Sequence, residues 1–361
     1  MSSKHAGVLP YQTIKEMISQ NTIEAETAIK NSQIQPSSLD LRLGSKAWRL
    51  QASFLPGAGF TVADQLHELA MHEIDLSSGA ILEKNCVYLV LLQEKLLLPQ
   101  NVNAISNAKS STGRLDLLTR LITDLGTEFD RIPNGYSGPL YAEICPRSFS
   151  VLVKTGTRLN QVRFRRGKVI INDQDLMNLN KTENLVGKNA IVDGGISFSV
   201  DLECDDDNVI GYKAKPNAPL IDLDKINYYQ TTEFWDGIKA KSGCLILDPG
   251  AFYILMSRES VTIPPDYAAE MAPYLAMVGE FRVHYAGFFD PGFGFSMAHS
   301  SSSRGVLEVR CYESPFALRS GQIIGRLIYE RMAERPDILY GSDLNSNYQN
   351  QRLKLSKHFR Q

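Results

Sequence analysis

A short pattern recurs along the chain at a fixed offset. Ile81-Leu82-Glu83 with Tyr88, Glu94 and Pro99 returns as Ile246-Leu247-Asp248 with Tyr253, Glu259 and Pro264, a shift of 165 (264 − 99). The same shift carries Glu143 to Glu308 and Gly156 to Gly321. A constant offset on both sides of a variable loop means that one structural unit is present twice. Within each copy the runs are short, rich in β-formers and broken by Gly, Pro, Asn and Asp, as at 39–43, 86–92, 140–144, 150–153 and 161–164. Such spacing selects a sandwich or barrel over alternating βαβ units. Two stretches read as helix instead: Ile14, Met17 and Ile18 following Pro10, and residues 64–74. Residues 173–195, rich in Asn, Asp, Lys and Gly, read as a polar connector. The expected organisation is mainly β, with a first domain over 1–172, the connector over 173–195 and a second, diverged domain over 196–361.

The 361 residues suffice for two cores of ordinary domain size. Thirty-eight basic and 40 acidic residues leave a net charge of −2, so no global field draws the chain to nucleic acid or to an anionic membrane. Any phosphate site must be local. There is no run of 18 apolar residues, and Met-Ser-Ser-Lys-His at the amino terminus lacks the apolar segment of a signal peptide, which predicts a cytoplasmic protein. Cys86, Cys145, Cys204, Cys244 and Cys311 are odd in number and widely spaced, a usage that fits reduced thiols.

The first copy concentrates the chemistry. Lys109, Ser110, Ser111 and Arg114 set two cations and two hydroxyls within six residues, beside Gly113, and this combination suits a polyphosphate. Farther on, Gly135-Tyr136-Ser137-Gly138 makes a turn, and Glu143 stands among Leu140, Ala142 and Ile144. A carboxylate stripped of water by such a strand is a candidate to accept and release protons near neutral pH. The second copy departs from this pattern. Ala272-Pro273-Tyr274-Leu275-Ala276-Met277 replaces the hydroxyl and arginine run, so this copy should not hold a triphosphate unaided. Asp290-Pro291-Gly292 stands where the first copy has Ile132-Pro133-Asn134-Gly135. Glu308 is open between a relic and a second site completed by another chain.

His67 and His72 are five residues apart, whereas a helical metal pair needs four. Neither H-x-E nor P-C-x-x-C occurs, so zinc-hydroxide deamination has no ligand set in this sequence. Arg163, Arg165, Arg166 and Lys168 read as a solvated sheet edge.

Together these residues resemble the dCTP deaminases of the deoxyuridine triphosphatase superfamily. The resemblance rests on Ser110, Ser111 and Arg114, on the Gly135-Tyr136-Ser137-Gly138 turn, on the Glu143 strand, and on Gln35-Pro36-Ser37-Ser38-Leu39-Asp40-Leu41-Arg42-Leu43-Gly44 upstream. It extends to a tail with Tyr340 and Asn347-Tyr348-Gln349-Asn350-Gln351. It implies two tandem dUTPase-like β-barrel (β-clip) domains with a few short helices, and hydrolytic deamination of dCTP to dUTP and ammonia. It further implies Glu143, Ser110 and Arg114 as catalytic residues, Arg114 stabilising the ionised glutamate or the developing charge. Lys109, Ser111, Tyr136, Tyr340 and Gln351 would hold the nucleotide, and Asp290 and Glu308 would belong to a second-copy site. Mg²⁺ would arrive with the triphosphate and no zinc would be needed. The implied regulator is dTTP, and the implied assembly is a homo-oligomer, a trimer, with neither nucleic acid nor membrane as partner.

The first copy lacks the family's aspartate at its Pro133-Asn134 turn, so that either Asp130 substitutes or the loop is remodelled. Asn347 stands where the family places a phosphate-binding lysine, which passes that duty to Lys109 or Lys354. A dUTP diphosphatase, a bifunctional deaminase and diphosphatase, and a non-enzymatic nucleotide-binding barrel remain the alternatives.

Overall fold

Val87–Leu97 and Ser137–Pro146 carry the longest apolar patterns of the first copy and pair antiparallel, with Leu89 facing Glu143. Leu43–Leu50 flanks the first of these strands and Leu117–Thr123 the second; Ala70–Asp75 continues the sheet beyond Leu43–Leu50, and Ile23–Ala25 adds to Val87–Leu97. A second sheet is built on Asn160–Arg166, which lies between Val102–Ala108 on one side and Gly7–Val8 and Leu39–Asp40 on the other. The computed structural model describes residues 6–187, 190–203, 209–239, 243–273, 281–284, 287–295, 303–341 and 353–360. Among them, strands dominate and the helices are short, which is the mainly β architecture expected.

The chain forms two compact units. The first comprises Met1–Val169, Pro219–Ile226 and Met332–Asp337; the second comprises Ile170–Ala218, Asn227–Arg331 and Ile338–Gln361. In the first unit Ile221–Asp222 adds a parallel strand to Val151–Val153. Ala333 donates its N–H to Val8 O at 2.9 Å, so a late segment closes against the amino-terminal strand.

The 165-residue repeat is written into backbone pairing. Leu82 faces Val151 and Leu247 faces Phe316; Leu89 faces Glu143 and Ile254 faces Glu308; Ala108 faces Asn160 and Pro273 faces Gly325. Register is specified by which face must be buried, and a one-residue slip would turn every core side chain outward. Smaller bonds repeat as well. Glu83 N–H donates to the Tyr88 hydroxyl at 3.0 Å, and Asp248 N–H to the Tyr253 hydroxyl at 2.8 Å.

Three expectations are corrected. Residues 173–195 begin with a helix, Asp173–Glu183, capped by Asn172 and ended by Asn184 at φ 51°. Leu176 and Leu185 enter the second core beside Phe198, Tyr253 and Leu327. Apolar residues are so sparse in this stretch that only the docked helix reveals their shared face. Residues 64–74 are not one helix: Val62–Leu69 is helical and Ala70–Asp75 is a strand, with His67 and His72 on different elements. The arginine run is not a solvated edge either. Its strand is flanked on both sides, and Arg163 and Arg165 are buried. Arginine tolerates this placement because its stem packs as an apolar chain, and Arg163 donates to Ser37 Oγ at 3.0 Å.

Residues 353–360 are held within the second unit. Phe359 bridges to Tyr229, and its ring meets Phe234 and Trp235 edge-on at 5.3 and 5.9 Å. No helix among the described residues is long and apolar enough to cross a membrane.

Candidate active site

The Lys109–Arg114 run begins where the strand Val102–Ala108 ends. Lys109 keeps extended backbone and donates its N–H to Leu159 O at 2.8 Å; Ser110–Gly113 then make a single helical turn, with Thr112 Oγ1 tied to Leu159 O at 3.1 Å. Arg114 closes this turn through its N–H to Ser110 O at 3.1 Å. Ser111 and Arg114 are buried, and Ser110 is half-buried. The Lys109 ammonium forms an ion pair with the buried Asp40, and Arg158 stands 3.7 Å from the other carboxylate oxygen. Asp40 therefore joins the upstream strand Leu39–Asp40 to the Lys109–Arg114 run.

The turn Gly135-Tyr136-Ser137-Gly138 follows from two glycines. Gly135 adopts φ 71°, and a Cβ on Gly138 would sit 2.8 Å from the Tyr136 hydroxyl. That hydroxyl donates to Pro139 O and accepts from Asp124 N–H at 3.3 Å. Burial pushes the Tyr136 phenol well above its usual range. Tyr136 thus braces the turn by its hydroxyl.

Glu143 is 2% exposed and faces Leu89 on one side and Arg120 on the other. The Arg120 Nε and Nη2 groups both donate to Glu143 Oε1, Nε at 3.0 Å. Oε2 is buried and has no hydrogen-bond partner among the described residues. Arg120 is itself held: Nη2 donates to Ser53 Oγ at 2.9 Å, and the guanidinium carbon lies 3.7 Å from the Phe129 ring centroid. Arg114 is expected to stabilise either the ionised glutamate or the developing charge; the hydrogen bonds on the Glu143 carboxylate come from Arg120. The available signal was an arginine inside the apolar run Leu117-Leu118-Thr119-Arg120-Leu121-Ile122. Only the register of the two strands makes it Glu143's neighbour.

An apolar wall covers this face. Leu50, Val62, Leu89, Ile122 and Tyr141 form a cluster, with Trp48, Phe54, Leu55, Leu66 and Phe129 packed on it. Burial raises the Tyr141 phenol to about 12. The helix Val62–Leu69 is capped reciprocally by Thr61 and Asp64, and Val62 N–H donates to Asp124 Oδ1 at 2.8 Å, anchoring it to the end of the Arg120 strand. The loop after that strand bonds back to the same segment, Leu125 N–H to Phe60 O and Gly57 N–H to Gly126 O, each at 3.0 Å. Leu125 pays for this path with φ 59°, an unfavourable region for a side chain of its size. Asp130, the candidate substitute for the absent aspartate, accepts the Leu121 N–H at 2.8 Å.

In the second unit, Asp290 is buried at the start of a turn on which Tyr340 rests. Tyr340 N–H donates to Pro291 O at 2.8 Å, its ring lies 5.7 Å from that of Phe293, and a Cβ on Gly292 (φ 96°) would strike Tyr340 O at 2.9 Å. Glu308 is buried and faces His284, so histidine stands where the first copy has Arg120. Gln351, Asn347 and residues 274–277 lie outside the described residues. Among the described residues there is no group of three or more His, Cys, Asp and Glu side chains that could hold a metal ion.

Two family descriptions match the chain. "2'-Deoxycytidine 5'-triphosphate deaminase (DCD) N-terminal domain" matches residues 5–168, and the corresponding C-terminal domain matches residues 172–359. A relative from Pseudarthrobacter chlorophenolicus, named "dCTP deaminase, dUMP-forming", is 33% identical over 110 residues, which are 30% of this chain and 54% of that protein. The chain thus spans about half the length of that relative. One with the same name from Coprothermobacter proteolyticus is 29% identical over 154 residues, 42% of this chain and 77% of that one. The crystal structure of 2'-deoxycytidine 5'-triphosphate deaminase from Agrobacterium tumefaciens is similar with a TM-score of 0.87 and 50% identity, covering 91% of this chain and 99% of that chain.

Proposed function

The chain belongs to the 2'-deoxycytidine 5'-triphosphate deaminase family, and from that premise we propose that it hydrolyses dCTP to dUTP and ammonia, with Glu143 carrying the protons. The observation that carries this reading is the Glu143 carboxylate, buried with one oxygen fixed by Arg120 and the other free of any hydrogen bond among the described residues. Water attacks C4 of the pyrimidine as its proton passes to Glu143 Oε2. The proton is delivered to N3, a second transfer from the hydroxyl reaches the amino group, and the C4–N bond breaks to release ammonia. One carboxylate that accepts and then donates serves both transfers. Ser110 orients the water and Arg114 stabilises the charge developing on the ring. Lys109 and Ser111 hold the phosphates, Lys109 exchanging its Asp40 partner for them, and Tyr136, Tyr340 and Gln351 complete the nucleotide contacts. Mg²⁺ enters as part of the triphosphate substrate.

Further parts of the proposal are a cytoplasmic enzyme, a homotrimer and inhibition by dTTP. Asp290 and Glu308 belong to a degenerate second-copy site. A second reading is favoured by the relatives' printed name, which makes dUMP the product: deamination followed by loss of pyrophosphate at the same site. Incubation with dCTP and Mg²⁺, reading ammonia, pyrophosphate and nucleotides together, decides between them. Ammonia with dUTP supports the first reading, equimolar pyrophosphate with dUMP supports the second, and tight dCTP binding with no ammonia overturns both.

A further inference from the structure

Building on deamination at Glu143, we infer that Arg120 is the positioning residue of that carboxylate: by holding Oε1 with two N–H groups it confines proton transfer to Oε2. A buried carboxylate has two oxygens and could present either to a substrate. Here Nε and Nη2 of one guanidinium converge on the same oxygen, and the other is left in a buried setting without a partner among the described residues. This is not how the same unit builds a structural pair. Glu94 is also buried against an arginine, but both of its oxygens are used: Oε1 by Arg42 Nε at 2.7 Å and Gln33 Nε2 at 3.1 Å, Oε2 by Arg42 N–H at 2.8 Å. An unmade hydrogen bond at a buried acceptor costs stability. An arrangement that keeps one open beside a fully occupied oxygen is organised for a partner that arrives later.

Arg120 is fixed by residues with no bond of their own to Glu143. Phe129 stacks on its guanidinium and Ser53 takes a third donated hydrogen bond. Phe129 comes from the loop after the Arg120 strand, the one routed through Leu125 at positive φ, and Ser53 from the segment before the helix Val62–Leu69. The cation is therefore clamped between two loops of the first unit, its side chain as a whole 28% exposed, and the fork cannot rotate to share its donors between the two oxygens.

The test uses the full-length protein and two substitutions, Arg120→Ala and Arg120→Lys. Loss of the fork in Arg120→Ala should lower kcat about 100-fold with KM within about threefold, since misplacement of the reacting group by an ångström is felt in the chemical step. Arg120→Lys keeps the charge but cannot place two N–H groups on one oxygen, and should fall about tenfold. Free guanidinium, added far below concentrations that unfold proteins, should restore activity to Arg120→Ala and not to Glu143→Gln. Independently of turnover, the infrared carboxylate band of Glu143, assigned by subtraction of the Glu143→Gln spectrum, should shift in Arg120→Ala without nucleotide present. The inference is overturned by kcat within threefold of wild type in both variants, by a rise in KM alone, or by a loss that guanidinium does not relieve with the band unmoved. Absence of ammonia release from dCTP by the wild-type enzyme would overturn the assigned reaction, while the infrared band would still decide whether Arg120 sets the carboxylate.

Discussion

Glu94 and Glu259 occupy the same place in the two copies and hold the same backbone bond with different partners. In the first, Arg42 N–H reaches Glu94 Oε2 and the Arg42 guanidinium fills Oε1, then continues to Thr27 and Ala28. In the second, Ser199 N–H reaches Glu259 Oε2 at 2.9 Å and the serine hydroxyl takes Oε1 at 2.5 Å. On the next strand Glu143 and Glu308 share a backbone register, and the position paired with them is Arg120 in one copy and His284 in the other. Backbone register is specified by which face must be buried. Even its irregularities recur, a shift between Pro139 and Tyr141 in one copy and between Met256 and Ser260 in the other, whereas the residue opposite a given position can be exchanged. Duplication therefore left two matching scaffolds, and Ser110, Ser111 and Arg114 accompany the glutamate in the first, where the second reads Ala272-Pro273-Tyr274-Leu275-Ala276-Met277.

Four substitutions set this comparison at risk, ordered from the largest expected effect. Glu143→Gln should lower kcat about 1000-fold, within the range for loss of an acid-base group, with dCTP affinity within a few-fold by calorimetry. A variant that still turns over at a tenth of the wild-type rate would remove Glu143 from the proton path. Glu94→Gln should cost about 3 kcal/mol in urea unfolding, because it leaves the buried Arg42 charge without its counter-ion. Glu259→Gln should cost only about 1 kcal/mol, the worth of a neutral hydrogen bond, since its partners are a serine hydroxyl and an amide. Equal costs for these two would mean that the copies do not differ as described. Glu308→Gln should leave ammonia release within twofold of wild type; a loss as deep as that of Glu143→Gln would make the second copy an equal catalyst.

Residues 353–360 are anchored in the second unit, so truncation is a poor probe of the tail. Deleting everything beyond residue 336 would also remove Phe359 from its contacts with Tyr229, Phe234 and Trp235. Substitutions at Tyr340 leave those contacts in place and so test the expected nucleotide contact apart from the packing of Phe359.

Part of the candidate site is legible one residue at a time. Ser110, Ser111 and Arg114 share one helical turn with Lys109 before it, and a four-residue spacing needs no tertiary knowledge to be read as local. Glu143 stood out because a charged residue in an apolar strand is unusual. Arg120, Ser53 and Phe129 were not legible, since each reaches Glu143 or its partner through loop lengths and strand register that no local pattern encodes. The helix at 173–183 was missed for the opposite reason: its polar composition is that of a linker, and packing of Leu176 outweighs propensity.

By itself the sequence determined that the chain is one β unit written twice, because a 165-residue period and two-residue alternation are properties of order along the chain. It also determined which copy keeps the hydroxyls and the arginine. Only the tertiary structure decided which cation meets Glu143, which of the carboxylate's oxygens is left open, and that Lys109 rests on Asp40. Those are distances between side chains far apart in sequence, and they exist only once the strands have paired and the loops between them have closed.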